Sequence, residues 1–240
     1  MKFSFARGAL ALIAALSLAS CGGGKATFPI NVNVSNVLYP GLILSTGGQE
    51  VAVAPPADPT KSVDVVFPQE LEYGQTYDVV PKGQAVNSDG SINYGANPKH
   101  QTCSVSTIYP YNLPTSGTAG QLAKIQMYYV CAINAYPLTG KIVGLTGKGL
   151  VLANGSTASA VSVTPATDTA GAATGADIAL TMGSVAYGTT YGVTVLTQPE
   201  KQTCTVAGGA NGKGAGTMDD AAEAAKGVND LLVTCVNNPS

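Results

Sequence analysis

Few residues of this chain can do chemistry: one histidine and five cysteines among 240 residues, and no tryptophan. His100 is the sole candidate general base at neutral pH. It sits in a polar stretch, Asn97-Pro98-Lys99-His100, just before Cys103. General-base chemistry requires a nucleophile or a carboxylate partner, and no motif places one beside it. GxSxG, HExxH, SxxK and Walker-type patterns are all missing. His100 is therefore expected to be a solvated loop residue, with no catalytic residue and no cofactor in the chain. Cys103, Cys131, Cys204 and Cys235 form an even set that allows three pairings. No CxxC pair occurs among them, so no metal site is expected there.

Two side-chain clusters remain. Asp219, Asp220 and Glu223, with Asp230, could offer carboxylate oxygens to calcium. Calcium-loop spacing is absent, and acids gather in a first helical turn because of the helix dipole alone. The tyrosines Tyr109, Tyr111, Tyr128 and Tyr129 could form a face for a glycan or a protein partner, since aromatic rings supply rigid contact area. Tyr128 and Tyr129 are neighbours on one strand and must face opposite sides.

The elements that carry these residues read as strands. Ile30, Val32 and Val34 alternate with Asn31, Asn33 and Ser35, the pattern of a half-buried strand. Val63, Val65 and Phe67 alternate with Asp64 and Val66 and read as a more buried one. Tyr191, Val193 and Val195 alternate with Gly192, Thr194 and Leu196. Turn signals punctuate the chain at Pro40-Gly41, Gly47-Gly48, Asp89-Gly90 and Asn154-Gly155. One helix is expected over 218–226, capped by Thr217 and stopped by Gly227. The glycine- and alanine-rich stretches 166–175 and 207–216 read as mobile loops.

The strands fall into two similar halves. Tyr73-Gly74-Gln75-Thr76-Tyr77 matches Tyr187-Gly188-Thr189-Thr190-Tyr191, and Gln101-Thr102-Cys103-Ser104-Val105 matches Gln202-Thr203-Cys204-Thr205-Val206. Val37 to Leu44 parallels Leu145 to Leu152, and Cys131 and Cys235 close the two halves in the same order. A tandem duplication follows, with Lys82 to His100 inserted in the first copy. One cysteine pair per copy gives Cys103–Cys131 and Cys204–Cys235. Each pairing closes a loop of about thirty residues, worth about 3–4 kcal/mol by chain entropy. About seven short strands per copy argue for an all-β fold of two tandem antiparallel β-sandwich domains.

The Tyr187 to Val195 segment is similar to the strand entry of fibronectin type III and related immunoglobulin-like domains. That likeness implies corner-tyrosine roles for Tyr191 and Tyr77. The Cys–Trp–Cys hallmark of immunoglobulin domains is missing. The second copy also resembles the glycine- and threonine-rich repeats of proteobacterial envelope proteins.

The N-terminus carries an export signal. Lys2 and Arg7 precede an uncharged apolar run over 8–19, which is too short to span a bilayer. Export places the four later cysteines in a disulfide-forming compartment. The segment Leu18-Ala19-Ser20-Cys21 resembles the lipobox of bacterial lipoproteins. That resemblance implies cleavage before Cys21, acylation of Cys21, and membrane attachment through the lipid. Gly22, rather than Asp, follows the cysteine and by the same resemblance implies the outer membrane. The organisation is then a signal peptide at 1–20, a lipid-anchored tether at 21–27, and β-sandwich repeats at 28–135 and 136–240.

Without Lys2 and Arg7, the twelve cationic residues become ten against fourteen acidic ones, and no arginine remains. With no basic patch to neutralise phosphates, nucleic acid is excluded as a partner. Charged residues make up only 11% of the chain, which suits β structure rather than a helical enzyme. The expected function is a non-enzymatic structural or interaction role in the cell envelope. The alternative is a surface adhesin or carbohydrate-binding module using the tyrosines of the first repeat. A third reading is an envelope hydrolase or enzyme inhibitor that uses His100.

Overall fold

Alternation in the sequence becomes sheet. Ile30, Val32 and Val34 are all but fully buried, while Asn31, Asn33 and Ser35 between them stay half-exposed. Burying each of these apolar side chains contributes about 1.5–3 kcal/mol. The computed structural model describes residues 25–239 and is built almost wholly of strands joined by turns. Cys21 and the export signal lie outside the described residues. Among the described residues, no helix is long and apolar enough to cross a membrane.

The chain divides into two compact units. The second unit comprises Cys131 onward together with two short segments, Asn36–Pro40 and Asn97–Ser104. The first comprises the rest of the described chain.

In the first unit, the largest sheet runs Ile125–Ile133, Ile30–Ser35, Val63–Val66. The pair Ile125–Ile133 with Ile30–Ser35 is parallel. The strand Val63–Val66 lies at the edge, antiparallel to Ile30–Ser35. The alternation in sequence predicts a more buried strand, but Val63 and Val65 are only half-buried and Phe67 alone enters the core. An edge strand has a neighbour on one side only, which leaves its side chains less covered. A second sheet orders Gln49–Val53, Leu42–Thr46 and Val80–Pro81, and Thr76–Asp78 pairs with Ser116–Thr118. Leu42, Leu44, Tyr77, Val79, Met127 and Tyr129 fill the core. Within 82–100, the segments Ala85–Val86 and Ile92–Asn93 form a small hairpin.

In the second unit, the first sheet has the order Ile178–Ala186, Ala135–Val143, Val228–Asn237, Gln202–Ala207. Again one pair is parallel, Ala135–Val143 with Val228–Asn237, and the outer pairings are antiparallel. The second sheet has the order Ser156–Val163, Leu150–Asn154, Thr190–Thr197, Ala215–Thr217. Leu138, Ile142, Leu150, Leu152, Leu231 and Val233 pack between the two sheets with almost no exposure. The one helix among the described residues is Asp220–Ala224, shorter than the sequence suggests. Asp219 rather than Thr217 caps it, accepting hydrogen bonds from the amides of Ala221 and Ala222. An aspartate immediately before the helix caps it at least as well as a threonine would.

Cys103 is joined to Cys131 and Cys204 to Cys235. Cys204 and Cys235 are directly opposed on neighbouring antiparallel strands, with Cα atoms 4.0 Å apart. This bond staples an edge strand to its own sheet. The immunoglobulin disulfide instead ties one sheet to the other.

The stretch 207–216, read from sequence as a mobile loop, is held in place. Ala210 donates its amide to the Tyr191 hydroxyl, Gly209 donates to Asp230, and Asn211 accepts from Lys213 and Ala215. A Cβ on Gly216 would sit 2.6 Å from the Tyr191 oxygen, so the small residue is what lets the loop close over that ring. The Tyr191 hydroxyl thus accepts from loop backbone 19 residues further along the chain, not from the residues just upstream that a corner tyrosine would reach.

Candidate functional site

His100 is where sequence and structure part most clearly. The second unit buries it to 6% exposure, with its backbone at φ +65°. Its Nδ1 is hydrogen-bonded to Glu223 Oε2, and its Nε2 lies 3.5 Å from Asp220 Oδ1. The ring stacks on Tyr187 with centroids 3.5 Å apart and planes 6° from parallel, and the edge of Tyr39 closes another side at 5.1 Å. The expected solvated loop histidine is thus an enclosed, bonded one.

Each partner is fixed in turn. Glu223 and Asp220 come from the short helix, whose cap sets the direction of its first turn. Glu223 Oε1 accepts from the Tyr136 hydroxyl at 2.8 Å and from Asn134 Nδ2 at 3.2 Å. Burial acts to raise the Glu223 pKa, but the hydrogen bonds from His100, Tyr136 and Asn134 outweigh it, and the net shift is downward. Asp220 accepts from Lys99 Nζ at 2.9 Å and from the Tyr187 hydroxyl at 2.7 Å, and these bonds lower its pKa. The same bond to Asp220, with some burial and nearby negative charge, pushes the Tyr187 phenol up to about 12. Backbone bonds link the layer: Asn134 donates to the His100 carbonyl, and Tyr187 donates to the Asn134 carbonyl.

This arrangement excludes some chemistry. A general base must offer a ring nitrogen to substrate, yet both His100 nitrogens face carboxylates and aromatic rings cover the ring. One ring nitrogen and two carboxylate oxygens of His100, Asp220 and Glu223 lie within 4.8 Å of one another, a donor set a divalent ion could use. The two carboxylates address different ring nitrogens, however, and these point in different directions. The cluster is therefore a hydrogen-bonded clasp rather than a converging ligand set. Of the acids considered for calcium, Asp219 is spent on capping and Asp230 on the Gly209 amide.

The four tyrosines separate. Tyr109 and Tyr111 are exposed, at 85% and 49%, in the loop after Val105. Tyr128 is half-buried and meets Tyr111 edge-on, with centroids 4.8 Å apart. Tyr129 turns inward to 3% exposure and donates its hydroxyl to the Val79 carbonyl at 2.7 Å. Burial pushes its phenol pKa up. Tyr129 is thus a core residue and not part of an exposed binding face, as strand alternation requires once Tyr128 points outward.

Sequence reasoning missed two buried glutamines, Gln101 and Gln202. Gln101 Oε1 accepts from the amides of Leu38 and Tyr39, and its Nε2 donates to the Asn36 carbonyl. Gln202 Oε1 accepts from Thr146 and Gly147, and its Nε2 donates to Gly144. The shared Gln-Thr-Cys triplet was the available signal.

No protein-family model and no curated protein matches this chain. Among solved structures, it is similar to a major pilin protein of Streptococcus pyogenes at 11% identity and TM-score 0.24, covering 90% of this chain and 98% of that one. Another major pilin structure from Streptococcus pyogenes is similar at 12% identity and TM-score 0.21, covering 90% and 99%. At such TM-scores the pilins say nothing of what this chain does.

Proposed function

We propose that this chain is a lipid-anchored protein of the cell envelope, composed of two copies of one disulfide-braced β module, with a structural or binding role and no catalysis. The observation that carries the reading is the N-terminal sequence: basic residues, a short apolar run, then Leu18-Ala19-Ser20-Cys21. Several acyl chains on one cysteine give stable attachment, because each buried methylene contributes about 0.8 kcal/mol. Gly22 to Ala26 then link the lipid to the first strand, and Gly22 favours the outer membrane.

Other features support the reading. Two disulfides suit an exported protein. Each half of the sequence has a parallel strand pair with an antiparallel neighbour, and each has a buried glutamine two residues before a disulfide-bonded cysteine. That correspondence favours duplication of one module. The enclosure of His100 leaves the only histidine without access to a substrate, which supports a non-catalytic role. Metabolic labelling with palmitate tests the anchor. Label should enter the wild-type protein and be lost in Cys21→Ser, whereas label persisting in that variant refutes the reading.

A further inference from the structure

The solvent face of the first unit's large sheet carries a groove that its fold does not use. Asn33, Ser35 and Ser62 form its floor. The loop after Val105 overhangs it with Thr107, Ile108 and Tyr111, and Tyr128 stands at the side. The cavity is about 510 Å³, within the size range of small-ligand sites. The overhang is fixed: Ile108 donates its amide to Ser106 Oγ, and Tyr111 donates to the Ile108 carbonyl at 2.7 Å. Nevertheless Ile108 is 71% exposed, beside the open Tyr109 and Tyr111. Contiguous exposed apolar and aromatic surface on a soluble domain marks an interaction site.

The groove's chemistry selects among occupants. None of its lining residues carries a charge, so anionic ligands have no counter-ion there. Its floor is amide and hydroxyl, which a purely apolar ligand would leave unpaired at a cost. Asn33 Nδ2 is committed to Ser62 and Asp64, which fixes the amide and leaves its carbonyl oxygen toward other donors. Apolar rings on one side and neutral hydrogen-bonding groups on the other complement a molecule with C–H faces and many hydroxyls.

We infer that this groove binds a neutral oligosaccharide, with Tyr111 and Tyr128 as the stacking platform and the Asn33–Ser62 floor reading hydroxyl groups. The inference is separate from the lipid anchor, so the Cys21→Ser protein should bind as the wild type does.

The test uses the full chain in a detergent without a sugar headgroup. It is applied to an array of neutral hexose and N-acetylhexosamine oligosaccharides, with sialylated and sulfated glycans and an apolar peptide set alongside. The inference expects a neutral glycan to be retained, with binding unchanged between low and high salt. Tyr111→Ala should weaken that binding about tenfold or more. Tyr111 lies in an exposed loop, so the variant should unfold in urea as the wild type does. Tyr128→Phe keeps the ring and should retain most binding, whereas Asn33→Ala should lose it. Retention of no neutral glycan would overturn the inference, as would retention of only anionic glycans or only the peptides. Neutral-glycan binding that Tyr111→Ala and Asn33→Ala both leave intact would overturn it too.

Discussion

Gln101 and Gln202 do the same work in two places. Each is buried, at 2% and 3% exposure, and each follows a non-glycine residue at positive φ, His100 and Lys201 respectively. Each amide oxygen accepts from two successive backbone N–H groups, and each amide nitrogen donates to a carbonyl two or three residues earlier. The two cysteines that follow, Cys103 and Cys204, likewise donate their amides to Asn97 and Gln198. A buried amide side chain here replaces the backbone partners that a bend in the chain has taken away. Replacing Gln202 with leucine strands two N–H groups and should cost about 2–4 kcal/mol, since each unsatisfied buried group costs about 1–3 kcal/mol. Gln101→Leu should cost a similar amount. Urea unfolding of the purified variants measures both, and a loss below about 0.5 kcal/mol would show that water replaces the amide.

The His100 clasp predicts how stability changes with acid. The folded pKa of Glu223 lies below its unfolded value. Its contribution is therefore fully present above about pH 4.3, the ordinary glutamate value, and is lost as pH falls through the lower folded value. Glu223→Gln should lower stability at neutral pH by about 1–3 kcal/mol, because it removes a hydrogen-bonded charge. It should also flatten the acid limb of the stability curve. Denaturant midpoints measured from pH 7 down to pH 3 check both effects. An unchanged acid limb in the variant would contradict the assignment.

Two glycines in neighbouring strands should respond in opposite senses. A Cβ on Gly140 would sit 1.9 Å from the Leu231 carbonyl oxygen, in the parallel pairing with Val228–Asn237. Gly183, on the adjacent strand, has nothing within 4 Å of such an atom and no positive φ. Gly140→Ala should destabilise by about 2 kcal/mol or more, as backbone must move. Gly183→Ala should be neutral or stabilising by up to about 1 kcal/mol. Thermal melts of the two variants decide it.

The two disulfides close loops of similar length, with sequence separations of 28 and 31. Serine pairs at Cys103/Cys131 and at Cys204/Cys235 should therefore destabilise by comparable amounts, about 2–5 kcal/mol each. Denaturant unfolding of the two variants measures this. A large asymmetry would mean that one bond staples an edge strand already held by its packing.

Much of this was legible in sequence where the physics is local. The alternation in Ile30–Ser35 named its buried face residue by residue. The matched Gln-Thr-Cys triplets selected the cystine pairing. The environment of His100 was not legible, because Glu223 lies 123 residues away and Asp220 120 residues away. Only tertiary structure brings that helix to the ring. The anchoring of the glycine-rich stretch 207–216 was hidden for a related reason: its partners, Tyr191 and Asp230, flank it at a distance. Small residues there serve close approach rather than mobility. The strand Val63–Val66 shows the opposite error, since an apolar run does not reveal that its strand lies at a sheet edge.

The anchor is the claim on which the envelope reading rests, and the intact mass of the protein extracted from membranes tests it most directly. The account predicts a chain beginning at Cys21, heavier than its peptide mass by the acyl groups on that residue and lighter by four hydrogens for two disulfides. A chain that retains residues 1–20, or one cleaved elsewhere and carrying no lipid, would contradict it.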